Sequence, residues 1–208
     1  MNYIESLNWR YATKKMNGKA ISEDSLNRIL EAIRLSASSF GAQPYTVLVV
    51  SNPDLRKKIS PAIQNQPQII SGSHVLIFCA WADFTETKID EYISLIASER
   101  NISTASLDGF KKNMMGMASK SLEDKLMWMK KQCYIGLGSG LIAAALESVD
   151  ATPMEGFNPD ALDSILELDK LGLKSTVILT LGYRDESDNL AKLKKVRRAK
   201  SEFFLMMD

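Results

Sequence analysis

Between residues 23 and 34 the apolar side chains Leu26, Ile29, Leu30 and Ile33 recur at helical spacing. Ser22 precedes them as an N-cap, with Glu23 and Asp24 in the first turn. Residues 2–9 read as a short helix ending at Arg10, followed by a basic loop over 10–15. The helical pattern dissolves into a small-residue loop at 36–44, and the β-branched and aromatic run 45–50 predicts a strand. Residues 51–54 form a turn, and a short helix is expected over about 55–64. Residues 74–82 are almost continuously apolar, as a central strand covered on both faces would be. An amphipathic helix follows at 86–98, carrying Ile89, Tyr92, Ile93 and Ile96. Residues 101–120, with Met114, Met115 and Met117, read as a mobile lid.

Ser121, with Glu123 and Asp124, opens the longest helix, expected to reach about Val149. Its second half, 136–145, is small and apolar on all sides and therefore buried. Residues 153–157 read as a loop, Asn158 and Pro159 as the start of a helix through Leu166, and 175–181 as a second buried strand. Beyond Gly182 the chain turns polar and basic and ends in the apolar tip 203–207. A tail of that kind is expected to wrap a partner subunit. The whole, 208 residues, is one domain, with an arm from about 184 to 208.

Composition narrows the classes. Apolar residues make up 45% of the chain, enough for a core without metal or disulfide staples. The net charge of +1 gives no global field for nucleic acid, and no apolar run reaches membrane-span length. His74 is the sole histidine, which excludes a histidine-rich metal site and argues against a Ser-His-Asp triad; a structural role is expected for it. No metal is expected. Cys79 and Cys133 sit in apolar stretches, the usage of a cytoplasmic protein, although spacing leaves a disulfide open. The N-terminus lacks the pattern of a signal peptide.

Several segments could carry chemistry. Arg10 and Lys14 near the start, and Lys195 and Arg197 near the end, could share one phosphate if the termini converge; the same composition also suits a solvated charged tail. Ser38 and Ser39 offer hydroxyls in a loop between helix and strand. The run Gly136-Leu137-Gly138-Ser139-Gly140 is no dinucleotide fingerprint, because helical residues precede it where a strand is required; close helix packing explains it. Gly156 after Glu155 would let backbone approach a flat ligand, or simply form a turn.

In order and spacing, several of these segments resemble the nitroreductase family, in particular the oxygen-insensitive enterobacterial NAD(P)H nitroreductases, also described as dihydropteridine reductases. The resemblance rests on Arg10-Tyr11-Ala12-Thr13-Lys14, on the loop from Ser36 through Tyr45, on Ser73-His74-Val75, on 128–134, on Pro153-Met154-Glu155-Gly156-Phe157 and on Lys195-Val196-Arg197. It implies an α+β fold: a three-layer α/β/α sandwich with a mostly antiparallel sheet, in an intertwined homodimer with C-terminal exchange and the long helix in the interface. It implies non-covalent FMN in a cleft between subunits, with NADH or NADPH as co-substrate. Arg10, Lys195 and Arg197 would hold the phosphate, with Tyr11, Ala12 and Thr13 alongside and Lys14 near the pyrimidine edge. Ala37, Ser38 and Ser39 would come from the partner subunit. Asn65 would bond the pyrimidine oxygens, and Met154, Glu155 and Gly156 would line the ring. Phe40, Gln68, Asn113 and Met114 would line the substrate channel.

The implied reaction is ping-pong: hydride from NAD(P)H to flavin N5, then to a nitroaromatic, a quinone or a similar acceptor, with no side-chain acid or base required. Two alternatives stand beside it, a specialised flavin enzyme of the same fold (a dehalogenase or a flavin-processing enzyme) and a non-enzymatic binding module with a basic tail. The chain departs from the family pattern at three positions. Ala12 replaces a frequent serine, at a cost of about 1 kcal/mol. Gln68 replaces a lysine, which predicts a lower flavin potential, and Phe40 replaces a smaller polar residue.

Overall fold

The computed structural model describes residues 2–207. Four strands, β1 (Tyr45–Val50), β2 (His74–Trp81), β3 (Asp150–Met154) and β4 (Leu173–Gly182), form one antiparallel sheet in the order β1-β2-β4-β3. The two central strands are apolar at nearly every position because both faces are covered. Leu76, Phe78 and Ala80 of β2 and Val177, Leu179 and Leu181 of β4 enter one core; Val75, Ile77 and Cys79, with Ile178, enter the other.

The helices, in chain order, are α1 (Tyr3–Trp9), α2 (Glu23–Arg34), α3 (Pro53–Ile59), α4 (Pro67–Ser71), α5 (Glu86–Arg100), α6 (Asp108–Ala118), α7 (Leu122–Leu146), α8 (Pro159–Ile165) and α9 (Lys200–Phe203). The first core is closed by α2, α5, α6 and α7, through Ile33, Ile93, Met114 and Met129 among others. The second is closed by α3, α4 and α8, through Ile59, Ile69 and Leu162. This is the expected three-layer α+β arrangement. The caps read from the sequence hold: Ser22 accepts from Ser25 N, Ser121 from Asp124 N and Asn158 from Ala161 N. The small residues of α7 serve close packing. A Cβ on Gly136 would stand 2.6 Å from Tyr45 Oη, and one on Gly140 3.0 Å from Ile33 Cδ1.

Three segments add to the reading from sequence. Residues 150–154 are a strand, where the sequence suggested the end of a helix and a loop. The helix stops at Leu146, Ser148 turns the chain with φ 56°, and β3 pairs with β4. The strand is short and contains Pro153, which only an edge position tolerates, so its pattern is faint. Residues 108–118, within the segment expected as a mobile lid, form the helix α6, and Met114 on it is fully buried. The start of the tail lies beside the N-terminal loop. Arg184 bridges to Met16, Asp185 N donates to Lys15 O, and Asn17 N donates to Tyr183 O. This ribbon prolongs β4 alongside the N-terminal loop, so the two ends of the chain meet.

Cys79 and Cys133 are free and lie in different cores, on opposite faces of the sheet. Burial pushes both thiols up to about 12, which leaves no thiolate nucleophile at neutral pH. Among the described residues no cluster of three or more His, Cys, Asp or Glu could hold a metal, and no helix is long and apolar enough to cross a membrane.

Candidate functional site

The ribbon of residues 14–17 against 183–185 sets the first half of the site. Two carboxylates lock it. Asp150, only 2% exposed, accepts from Arg184 N (2.7 Å), from both ends of the Arg184 guanidinium and from Thr13 Oγ1 (3.1 Å). The Arg184 guanidinium lies over the rings of Trp9 (4.2 Å) and Tyr11 (4.7 Å). Asp188, 3% exposed, accepts from the backbone amides of Lys14 (2.7 Å) and Lys15 (3.1 Å). The Tyr11 hydroxyl, close to Thr13 and Asp188, makes no hydrogen bond of normal geometry, and burial pushes its pKa up to about 12.

This framework brings Arg10, Lys14, Lys195 and Arg197 to one cavity of about 440 Å³, whose lining carries no acidic residue. The volume falls within the roughly 300–1,000 Å³ usual for small-molecule sites. Lys195 Nζ donates to the carbonyls of Leu7 (2.6 Å) and Arg10, which fixes the ammonium at the wall. Arg10 Nε is buried without a partner. Burial, and then the charge of Arg197, lower the Arg10 pKa; burial, Arg10 and Arg197 lower that of Lys195. Cations held together without a counter-charge, with a donor left unpaired, form a site built for an anion with several acceptor oxygens. The sequence left the solvated tail open as the other reading; the convergence of the termini favours the anion site.

The second half lies where two loops abut. Asn158 N donates to Ala62 O (2.8 Å) and Gln66 Nε2 to Gly156 O (3.5 Å), so Asn65 stands beside Glu155 and Gly156. Asn65 is exposed with φ 51°, following Gln64 at φ 53°, a double left-handed turn that projects its side chain from the surface. Glu155 and Gly156 are exposed, whereas the Met154 side chain is buried in the second core. The two halves are joined through β3. Thr152, whose hydroxyl donates to Thr13 O (2.6 Å), stands two residues before Met154.

The loop carrying Ala37, Ser38 and Ser39 lies apart. Ser39 N donates to Gln132 Oε1 of α7 (2.8 Å), and Ser38 Oγ accepts from Gln43 N (2.9 Å). Among the described residues no hydrogen bond joins this loop to Arg10, Lys14, Lys195 or Arg197. Phe40 adopts φ 60°, and its half-buried ring packs against Phe110 and Trp128, at 6.1 and 6.2 Å between centroids. It packs at the edge of the first core.

Three of the expected residues are buried or divided within the chain. Thr13 is fully buried and its hydroxyl is committed to Asp150, so it braces the loop instead of touching a ligand through its side chain. Met114 is fully buried while Asn113 is exposed, so the two do not line one channel wall. Gln68 is 1% exposed, its amide donating to Gln66 Oε1 (3.0 Å) and Met154 Sδ (3.7 Å). Sequence reasoning missed the bracing group Asp150, Arg184 and Asp188, whose partners lie far away along the chain. An aspartate at the head of an otherwise apolar stretch, as at 150, was the one available signal. A larger cavity of about 560 Å³ lies between α2 and α5 against β1, lined by Leu30, Val47, Val49, Tyr92 and Leu95, and contains none of the expected site residues.

Comparison with known proteins places this geometry. A model of the nitroreductase family matches residues 7–183. The chain is 30% identical over 207 residues to the major NAD(P)H-flavin oxidoreductase of Aliivibrio fischeri, with 94% of each chain covered. It is 27% identical over 198 residues to the oxygen-insensitive NAD(P)H nitroreductase of Salmonella typhimurium, covering 90% of this chain and 91% of that one. Among solved structures, a nitroreductase-like protein of Streptococcus mutans superposes with TM-score 0.84 at 18% identity, over 99% of this chain and 98% of that one. A protein of Exiguobacterium sibiricum crystallised in complex with FMN superposes with TM-score 0.82 at 18% identity, over all of this chain and 98% of that one. These structural likenesses establish the fold, and the family match and the near full-length relative establish that this chain belongs to the nitroreductase family.

Proposed function

We propose that the protein is an FMN-dependent NAD(P)H oxidoreductase that works as a homodimer and reduces small acceptors such as nitroaromatics and quinones. The observation that carries this reading is the acid-free basic cavity, in which Arg10, Lys195 and Arg197 crowd together and Arg10 Nε lacks a partner. A phosphate monoester supplies the missing charge and acceptors. The names of relatives point the same way: NAD(P)H-flavin oxidoreductase, NAD(P)H nitroreductase and, for one protein of the same fold, a complex with FMN.

When bound, the flavin supplies the hydride chemistry, accepting from NAD(P)H and giving to the second substrate. The chain supplies the rest. Arg10, Lys195 and Arg197 hold the phosphate, and Lys14 places positive charge on the adjoining wall. Asn65 presents its amide to the ring's polar edge, and the exposed backbone at Glu155 and Gly156 approaches the ring. Burial and the nearby Glu155 carboxylate push the pKa of Tyr134 upward, so this residue of α7 stays a neutral phenol beside the loop.

A second subunit completes the site in this reading. Ala37, Ser38 and Ser39, remote from the basic cavity in their own subunit, reach the partner's cofactor. The exposed apolar residues Met127, Tyr134, Ile135 and Leu146 give α7 a face for a second copy. The exposed tip, Phe203 to Met207, forms the exchanged arm, which begins after Arg197 because residues 184–195 are held by their own subunit.

The test is direct. Purified protein is yellow, carries about one FMN per subunit, bleaches anaerobically with NADH or NADPH and recovers with a nitroaromatic or a quinone. Protein that takes up no FMN refutes the reading. A monomer at micromolar concentration with full flavin content refutes the shared site.

A further inference from the structure

Asp188 presents a puzzle. A carboxylate next to an anion site opposes the anion, and this one is almost fully buried a few residues from Lys195. It makes no ion pair with Arg10, Lys14, Lys195 or Arg197 among the described residues. Its acceptors are spent on backbone amides instead: Oδ2 takes Lys14 N (2.7 Å) and Lys15 N (3.1 Å), and Oδ1 takes Leu190 N (3.1 Å). The bond to Leu190 is an ordinary turn cap. The bonds to Lys14 and Lys15 span more than 170 residues of chain, and local turn geometry has no need of them.

These bonds join the two walls of the basic cavity. Residues 8–14 form one wall and residues 190–197 the other. Arg10 and Lys195 sit on opposite walls as like charges, and Lys195 Nζ ties the walls at one point by donating to the carbonyls of Leu7 and Arg10. A brace made of side-chain ion pairs would neutralise the cations that the anion needs. A brace made through backbone amides leaves them free. It also occupies the Lys14 and Lys15 N–H groups, so they are not free for the anion. Burial pushes the Asp188 carboxyl up, and the amides of Lys14, Lys15 and Leu190, with the nearby Tyr11 hydroxyl, more than reverse this and hold it below the usual carboxylate range.

We propose that Asp188 is a positioning residue for the phosphate: it fixes the spacing of the Arg10 wall from the Lys195 wall, and the phosphate contribution to cofactor affinity depends on it although it touches no ligand. This rests on the FMN reading above. The measurement is the dissociation constant of FMN and of riboflavin, by flavin fluorescence, for wild type, Asp188→Ala and Asp188→Asn. The ratio of the riboflavin constant to the FMN constant isolates the phosphate. The expected result is a tenfold or larger fall in that ratio for Asp188→Ala, with riboflavin affinity within threefold of wild type. Asp188→Asn, which keeps an acceptor oxygen for the amides, restores at least half of the loss on a logarithmic scale. A ratio unchanged in Asp188→Ala, or equal weakening of FMN and riboflavin, overturns the proposal and leaves Asp188 a fold-stabilising residue. If Asp188→Ala does not fold, the ratio in Asp188→Asn decides: a twofold to fivefold fall supports the proposal and no change overturns it. Wild-type protein that binds neither flavin overturns the functional reading itself, a result distinct from either.

Discussion

Replacing Asp150 with alanine tests the brace at its most buried point. The carboxylate side chain is 3% exposed and that of Arg184 is 25% exposed. The substitution removes the acceptor for Arg184 Nη2 (2.7 Å), Arg184 Nε (3.0 Å), Arg184 N (2.7 Å) and Thr13 Oγ1 (3.1 Å). Breaking a buried ion pair by removing one partner costs about 3–5 kcal/mol. The partial exposure of Arg184 lets water solvate part of the freed guanidinium, which places the cost at the lower end, about 3 kcal/mol. For a chain of this size that corresponds to a fall in Tm of roughly 6–12 °C. The assay is urea unfolding of flavin-free protein at one fixed subunit concentration, with Arg184→Met and the double variant alongside. The double variant is expected to lose less than the sum of the singles, because the second change removes the charge that the first left unpaired. A loss below about 1 kcal/mol for Asp150→Ala, or strict additivity, refutes the account of Asp150 as the anchor of the N-terminal loop.

Three further outcomes are expected. Lys195 is held below its ordinary value of 10.5 by burial, Arg10 and Arg197, so its protonated form penalises the flavin-free fold. That penalty lifts as pH rises from the depressed folded value toward 10.5; wild type therefore gains stability relative to Lys195→Met over this alkaline window, and a constant difference in urea midpoints counts against it. Gly136→Ala drives a Cβ to 2.6 Å from Tyr45 Oη and is expected to cost about 1–3 kcal/mol by denaturation; Tyr45→Phe, which deletes a buried hydroxyl without a partner, reduces that cost, and an equal cost in both backgrounds argues against the contact. Gln68→Lys puts an ammonium where the amide is 1% exposed, so flavin-free stability drops by about 2 kcal/mol or more. In the FMN-bound protein the same cation raises the flavin potential, and a redox titration showing an unchanged or lower value contradicts this.

Much of the frame was legible along the chain. The apolar runs of β2 and β4, the caps Ser22, Ser121 and Asn158, and the small-residue half of α7 each carry a local physical signature: two-face burial, capping of free amides, close backbone approach. The motifs that resemble the nitroreductase family were also legible, because motif order survives in sequence. β3 was not legible, since a five-residue edge strand with a proline has little periodicity to read. The burial of Thr13, Gln68 and Met114 was not legible for a related reason. Sequence names a residue near a motif, but a helix or strand turns its side chain inward or outward only once the neighbouring elements are packed.

Sequence by itself determined the layers, the family and the set of cations available for an anion. Tertiary structure decided that those cations meet. Arg10 and Lys195 are separated by 185 positions, and only the ribbon of 14–17 along 183–185, locked by Asp150 and Asp188, brings them to one cavity. Local propensity acts over a few residues, whereas like charges come together only where a larger sum of packing and buried hydrogen bonds holds them, and that sum exists only in the folded chain.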